Sequence, residues 1–257
     1  TTLDNIGKGM FFRDEALASI TLPSTVTVIN DEAFYNCKAL IEIDLSNIDE
    51  IGAYAFYNCA SLKEAILSND VTELNDAAFY GCSSLEKVKL SEKLTKLGDL
   101  ISEDAEEDVK GVFSGCTSLK EIVIPKGVNT IGKNTFNGCE NLRRVIIETS
   151  SLKKVGANAF NDVSPEAVFV VKNNAAKDEL ISGGNISKDK IIVTDELESI
   201  LKKAENAKKS SYTTDKYETL VNKINNAKNI LASLDTVTPE EFNNAVDSLT
   251  TAFNDKK

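Results

Sequence analysis

Apolar residues recur along the first two thirds of the chain in one fixed order. A phrase of the form Phe-x-x-Cys-x-x-Leu-x-x-Ile-x-Leu, with other apolar residues at its last two positions in some copies, begins at Phe34, Phe56, Phe79, Phe113 and Phe136, and Phe34, Cys37, Leu40, Ile43 and Leu45 spell one complete instance. Looser copies flank the series: Phe11, Leu17, Ile20 and Leu22 lack the Cys, and Phe160, Phe169 and Val171 lack both Cys and Leu. Successive phenylalanines stand 23, 22, 23, 34, 23 and 24 residues apart, so one step carries an insertion and the others share a period. A period of that length with degenerate ends predicts a solenoid of stacked coils, none of which buries its apolar set alone.

Within each copy, the apolar residues two apart that close the phrase predict a short strand with one buried face. A second short strand is expected to end at Ile29, Ile51, Leu74, Leu97, Ile131 or Val155. Asn30, Gly52, Asn75, Gly98, Gly132 or Gly156 follows it, and these residue types predict a sharp turn at positive φ. Past Phe160 the repeat decays through Val168 to Val171, a helical run Ala175 to Ile181 stopped by Gly183-Gly184, and an apolar Ile191 to Val193, read together as a C-terminal cap.

From Thr194 the period becomes helical. Leu197, Ile200, Leu201 and Ala204 make one apolar face; Tyr217, Leu220, Val221, Ile224, Ala227, Leu231 and Leu234 a second; Phe242, Ala245, Val246, Leu249 and Phe253 a third. Thr238-Pro239-Glu240-Glu241 supplies an N-cap, a Pro at the first helical position and a Glu three residues past the cap.

The repeat resembles the BspA-like class of leucine-rich repeats, in which Phe, Cys, Leu and Ile lead into a strand often ended by Pro; Leu22-Pro23 and Ile124-Pro125 keep that Pro. The resemblance covers about Phe11 to Val193. Residues 194–257, with Tyr212-Thr213 before the second helix and Thr238-Pro239-Glu240-Glu241 before the third, resemble a FIVAR module, with Tyr217 where a Trp is common. Together they imply an α+β multidomain chain: a BspA-type leucine-rich-repeat β-solenoid of about seven coils with terminal caps over 1–193, followed by a FIVAR-like three-helix bundle over 194–257. Such proteins are commonly bacterial, secreted and surface-attached, with roles in adhesion, and FIVAR modules are usually given spacer or binding roles, some of them in carbohydrate-active proteins. The resemblance therefore implies a non-catalytic extracellular recognition module for a host or matrix protein or a glycan. An accessory region of a larger carbohydrate-processing enzyme and a structural stalk are the other readings.

Charge narrows the partners. The 29 basic and 40 acidic residues give a formal charge of -11, and a field of that sign repels phosphate backbones, so nucleic acid is not an expected partner. The helical part holds nine lysines against eleven acidic residues, which leaves -9 on the solenoid and no basic patch visible in either part. No apolar run approaches the length of a membrane span, no export signal is apparent, and a monomer is expected. With no histidine, His-based triads and His-zinc sites are absent, and no carboxylate pair stands in a desolvating context. No catalytic, cofactor or metal residue is expected.

Cys37, Cys59, Cys82, Cys116 and Cys139 hold one position in successive copies. Equivalent residues of stacked coils point in parallel, with Cβ atoms as far apart as Cα atoms, whereas a disulfide needs about 3.5 to 4.5 Å. They are therefore read as an inward ladder of free thiols. Three features remain as candidate surfaces. The row after the repeat Phe holds Phe12, Tyr35, Tyr57 and Tyr80, a ladder that either packs on itself or offers its hydroxyl tips to a sugar or protein. The outward strand position ends in Val123, Ile146 and Val170, an apolar stripe that either receives a partner or is covered by the neighbouring C-terminal module or linker. The insertion contributes Asp99, Glu103, Asp104, Glu106, Glu107 and Asp108, which lack the Gly and ligand alternation of a calcium loop and read as a solvated excursion.

Overall fold

The computed structural model describes residues 3–99 and 110–256. The acidic insertion, but for Asp99, lies outside the described residues. These residues form thirteen short strands: β1 (Asn5–Ile6), β2 (Val28–Ile29), β3 (Glu50–Ile51), β4 (Glu64–Ile66), β5 (Glu73–Leu74), β6 (Lys87–Lys89), β7 (Lys96–Leu97), β8 (Glu121–Ile124), β9 (Thr130–Ile131), β10 (Arg144–Ile147), β11 (Lys154–Val155), β12 (Val168–Val171) and β13 (Ile191–Val193). Four α-helices follow or intervene: α1 (Asn174–Ser182), α2 (Thr194–Glu205), α3 (Thr214–Ala232) and α4 (Pro239–Asn254).

The strands stack in two parallel rows, so the chain is a β-solenoid. One row carries β1, β2, β3, β5, β7, β9 and β11; the other begins as a single bridge between Ser19 and Glu42 and continues through β4, β6, β8, β10, β12 and β13. The second row has eight rungs, one more than the sequence predicts. The extra rung is β13, read from sequence as a cap, which instead pairs in full register with β12: Phe169 with Ile191, Val170 with Ile192, Val171 with Val193. In this last coil α1 replaces the phenylalanine turn; it starts on the Asn173 side chain, which accepts from the Ala176 amide at 3.0 Å, and Leu180 anchors it in the core.

Inside, the residues of the phrase share one continuous core, in which the phenylalanines stack on their own equivalents one coil away. Phe11, Phe34, Phe56, Phe79, Phe113, Phe136 and Phe160 form one column with ring centroids 5.1–5.6 Å apart, closed by Phe169 edge-on at 5.0 Å. Each thiol donates to the carbonyl of the phenylalanine one coil earlier: Cys37 to Phe11, Cys59 to Phe34, Cys82 to Phe56, Cys116 to Phe79 and Cys139 to Phe113, at 3.1–3.2 Å. A cysteine suits this place because it is small, tolerates burial and still offers a weak donor. Several charged positions pair with an opposite charge one coil away, as in Lys38–Glu15 at 2.9 Å, Lys87–Glu64 at 3.6 Å and Lys93–Asp70 at 2.5 Å.

The turn residues correct the sequence reading. Among the six positions after the second strand, only Gly98 adopts positive φ, at 74°. The left-handed residues flank the phenylalanine instead, as in Glu32 and Asn36 around Phe34, or Tyr54 and Asn58 around Phe56. Glycine is needed at Gly52 for a different reason: a Cβ there would sit 2.4 Å from the amide nitrogen of Asp31 in the coil below. Close stacking of coils, rather than dihedral freedom, selects it.

The helices α2, α3 and α4 pack into a bundle around Leu197, Leu220, Phe242 and Leu249. The start signal read on the last helix holds, Thr238 with Glu241 forming a reciprocal capping box on α4, and Thr213 caps α3 as well. No linker separates bundle from solenoid, since α2 begins at the residue after β13. The bundle core also includes Val170 and Ile192, outward residues of the sheet, so the helices lie on the outer face of its last rungs.

Candidate functional site

The outer face of the sheet divides in two where the bundle begins. Val170 is 2% exposed and Ile146 is half-buried against the helices, whereas Val123 is 45% exposed. Of the apolar stripe, Ile146 and Val170 are therefore withdrawn from any external partner, because the chain's own helices bury their apolar surface more cheaply than water could solvate it. Val123 alone stays free, at the foot of the bundle. The seam is fixed by Arg144 on β10, whose two terminal guanidinium nitrogens donate to the Val237 carbonyl at 3.1 and 3.0 Å. Burial pushes the Arg144 pKa down, opposed by Asp235 and Glu121. An ion pair between Lys172 and Glu198 at 3.0 Å adds a second tie.

The aromatic row stands on the phenylalanine turn, clear of the bundle-covered face. Phe12, Tyr35, Tyr57 and Tyr80 stack with centroids 4.8, 4.5 and 4.8 Å apart and rings within 15° of parallel. The left-handed residue that follows each member, such as Asn36 or Asn58, turns the chain inward towards the cysteine. Asn58 also donates its side-chain amide to Asn36 at 2.7 Å, which locks the spacing of the two coils beneath the tyrosines. Each internal ring thus has both faces occupied by its neighbours, and the tyrosines remain half-buried.

Two residues that the repeat pattern did not single out complete this row. Tyr54, held at φ 58°, places its ring 5.8 Å from Tyr57. Its phenol pKa is raised by burial and by Asp76, whose own carboxyl is raised by burial. Lys110 donates to the Tyr57 hydroxyl at 3.0 Å and lies 5.2 and 5.3 Å from the Tyr57 and Tyr80 ring centroids. Tyr54 was legible as a second aromatic three residues before Tyr57; Lys110, beyond the insertion, breaks the period and carried no signal.

The five thiols are free and buried, and burial pushes them up, Cys37 to about 11 and both Cys82 and Cys139 to about 12. A neutral thiol under that much desolvation is neither nucleophile nor metal ligand at neutral pH. Among the described residues no helix is long and apolar enough to cross a membrane.

Stacked coils with leucines inside and a free polar exterior define a leucine-rich-repeat solenoid, a scaffold that presents surface. The model of the BspA type Leucine rich repeat region matches six copies over residues 2–106 and 108–212, and the chain belongs to that family. The match runs through α2 and stops short of α3. Among solved structures, a leucine rich cell surface protein from Faecalibacterium prausnitzii A2-165 is 25% identical with a TM-score of 0.48, over 64% of this chain and 50% of its own. A leucine-rich repeat protein from Bacteroides ovatus ATCC 8483 is 34% identical with a TM-score of 0.46, over 62% and 39%. The Leucine Rich Repeat protein of T. pallidum is 25% identical with a TM-score of 0.44, over 60% and 73%. This chain spans half or less of the first two. No curated protein matches it. The matched family is one of repeats that mediate interactions, with no catalytic family indicated.

Proposed function

We propose that this chain is an extracellular, non-catalytic adhesion or recognition segment of a bacterial surface protein, and that its solenoid engages a polypeptide partner along the Tyr35, Tyr57 and Tyr80 ladder. The observation that carries this reading is the continuous aromatic edge, rigidly spaced at 4.5–4.8 Å and left clear by the bundle. A sugar ring binds best against an open aromatic face, and here the internal faces are filled; edges with hydroxyl tips suit the mixed polar and apolar surface of a protein hot spot. A host or matrix protein is therefore favoured over a glycan. Val123, beside the bundle, is a secondary contact.

In the same reading the FIVAR-like helices over 194–257 act as a rigid orienting unit rather than a loose spacer, an inference supported by the shared core and the Arg144 tie. The test is an array of extracellular-matrix proteins and glycans probed with the intact chain and with a Tyr35→Ser, Tyr57→Ser, Tyr80→Ser variant. Loss of a protein signal in the variant supports the reading, and a signal that persists unchanged sinks it.

A further inference from the structure

The helical bundle is electrically polarised in a way that its near-neutral composition hides. Helix α2 leads away from the sheet, α3 returns to the Val237 carbonyl held by Arg144, and α4 leads away again. Acidic residues collect at the end near the sheet: Asp195, Glu196 and Glu198 on α2, Asp235 after α3, Glu240 and Glu241 on α4. At the far end Lys203, Lys208, Lys209, Lys216 and Lys256 meet from three separate segments, against Glu205, Asp215 and Asp255. Two of those acids are already committed, Asp255 to Lys216 at 2.6 Å and Glu205 to Lys228 at 2.8 Å.

This far end is a shaped surface. The Tyr212 hydroxyl donates to the Phe253 carbonyl at 2.6 Å and ties the start of α3 to the end of α4. Beside that tie is a notch of about 220 Å³ lined by Lys203, Lys208 and Lys256 together with Tyr212 and Phe253. None of the three lysines forms an ion pair among the described residues, and the Lys256 ammonium is held 4.7 Å from the Phe253 ring centroid. The dipole of α2 explains a lysine in its last turn, but Lys208 and Lys256 lie past the helix ends.

We propose that this tip is a docking site for a phosphodiester polymer of the bacterial envelope, the three lysines taking successive anionic groups. Charge complementarity selects the occupant: the solenoid carries -9 and is repelled by such a polymer, whereas the tip gathers its lysines against acidic residues two of which are already paired. Bound in this way, the chain stands with its bundle on the anionic surface and its aromatic ladder held away. The proposal rests on the extracellular bacterial placement proposed above, but not on what the ladder binds.

The experiment measures binding of the full chain to immobilised poly(glycerol phosphate), with Lys203→Gln, Lys208→Gln, Lys256→Gln as one variant and Lys63→Gln, Lys87→Gln on the solenoid as the control. Binding at low salt that weakens steeply as salt rises is expected. The triple variant should weaken it on the order of a hundredfold, with the control unchanged. Absence of binding at low salt, an equal loss in the control, or binding confined to a sulfated glycan offered in parallel would each overturn the proposal.

Discussion

The solenoid and the bundle reach stability by different routes. In the solenoid a residue's neighbours include its own equivalent one coil away, so rows of like residues must tolerate themselves: phenylalanines stack, thiols bond to the next carbonyl, and several charges pair with opposite ones. In the bundle, each residue meets a different residue from a different helix, and two of the core members, Val170 and Ile192, are borrowed from the sheet. A row is thus exposed to damage anywhere along its length, while the bundle is exposed chiefly at its docking face.

The strongest way to separate the two regions is to cut a large hole in each. Phe79→Ala and Phe242→Ala both remove fully buried rings and should each cost about 3–5 kcal/mol in urea unfolding. Hydrogen exchange distinguishes them: Phe79→Ala should lower protection on both sides of its coil, and Phe242→Ala only in α2–α4 and the last rungs. A loss confined to one coil in the first variant would mean that the coils are not coupled. Next in size, Val170→Asp buries a charge beneath the helices and should cost about 3 kcal/mol, read as exposure of the α2 to α4 amides. By the same logic a chain truncated at Val193 should self-associate, since it bares Ile146, Val170 and Ile192, and size-exclusion chromatography would detect this.

A smaller effect sharpens the row principle. Cys82→Ala leaves the Phe56 carbonyl without its donor and should cost about 1–2 kcal/mol, with Cys82→Ser recovering part of it. The thiols also impose a pH dependence. Their folded pKa values are raised above the ordinary 9.0, to about 11 for Cys37 and about 12 for Cys82 and Cys139. The folded state therefore holds protons that the unfolded state releases, and the stabilisation is present in full below pH 9 and is lost as pH rises towards 12. Urea midpoints that stay flat across that window would contradict it. Smallest of all, Lys87→Glu places like charges against Glu64 and should cost roughly 0.5 kcal/mol, shrinking as salt is added.

Legibility followed periodicity. The phenylalanine column, the thiol ladder, the strand rows and the tyrosine row could be read from spacing because a coil repeats its own contacts, and the capping box on α4 could be read because its partners are three residues apart. Gly52 was recognised as special for the wrong reason, since a sequence does not show how closely the neighbouring coil approaches. From sequence the rung at β13 reads as a cap, because it has lost the Phe and Cys of the phrase and keeps only its apolar run.

The sequence by itself determined the coil, its period, the inward rows and the existence of three amphipathic helices, because each depends on contacts between residues at fixed separations along the chain. Tertiary structure alone decided that Ile146 and Val170 are covered while Val123 is not, that Lys110 joins the tyrosines, and that Lys203, Lys208 and Lys256 share one tip. Those placements depend on where a helix that follows the last strand comes to rest, which is set by burial of apolar surface between segments that share no repeat.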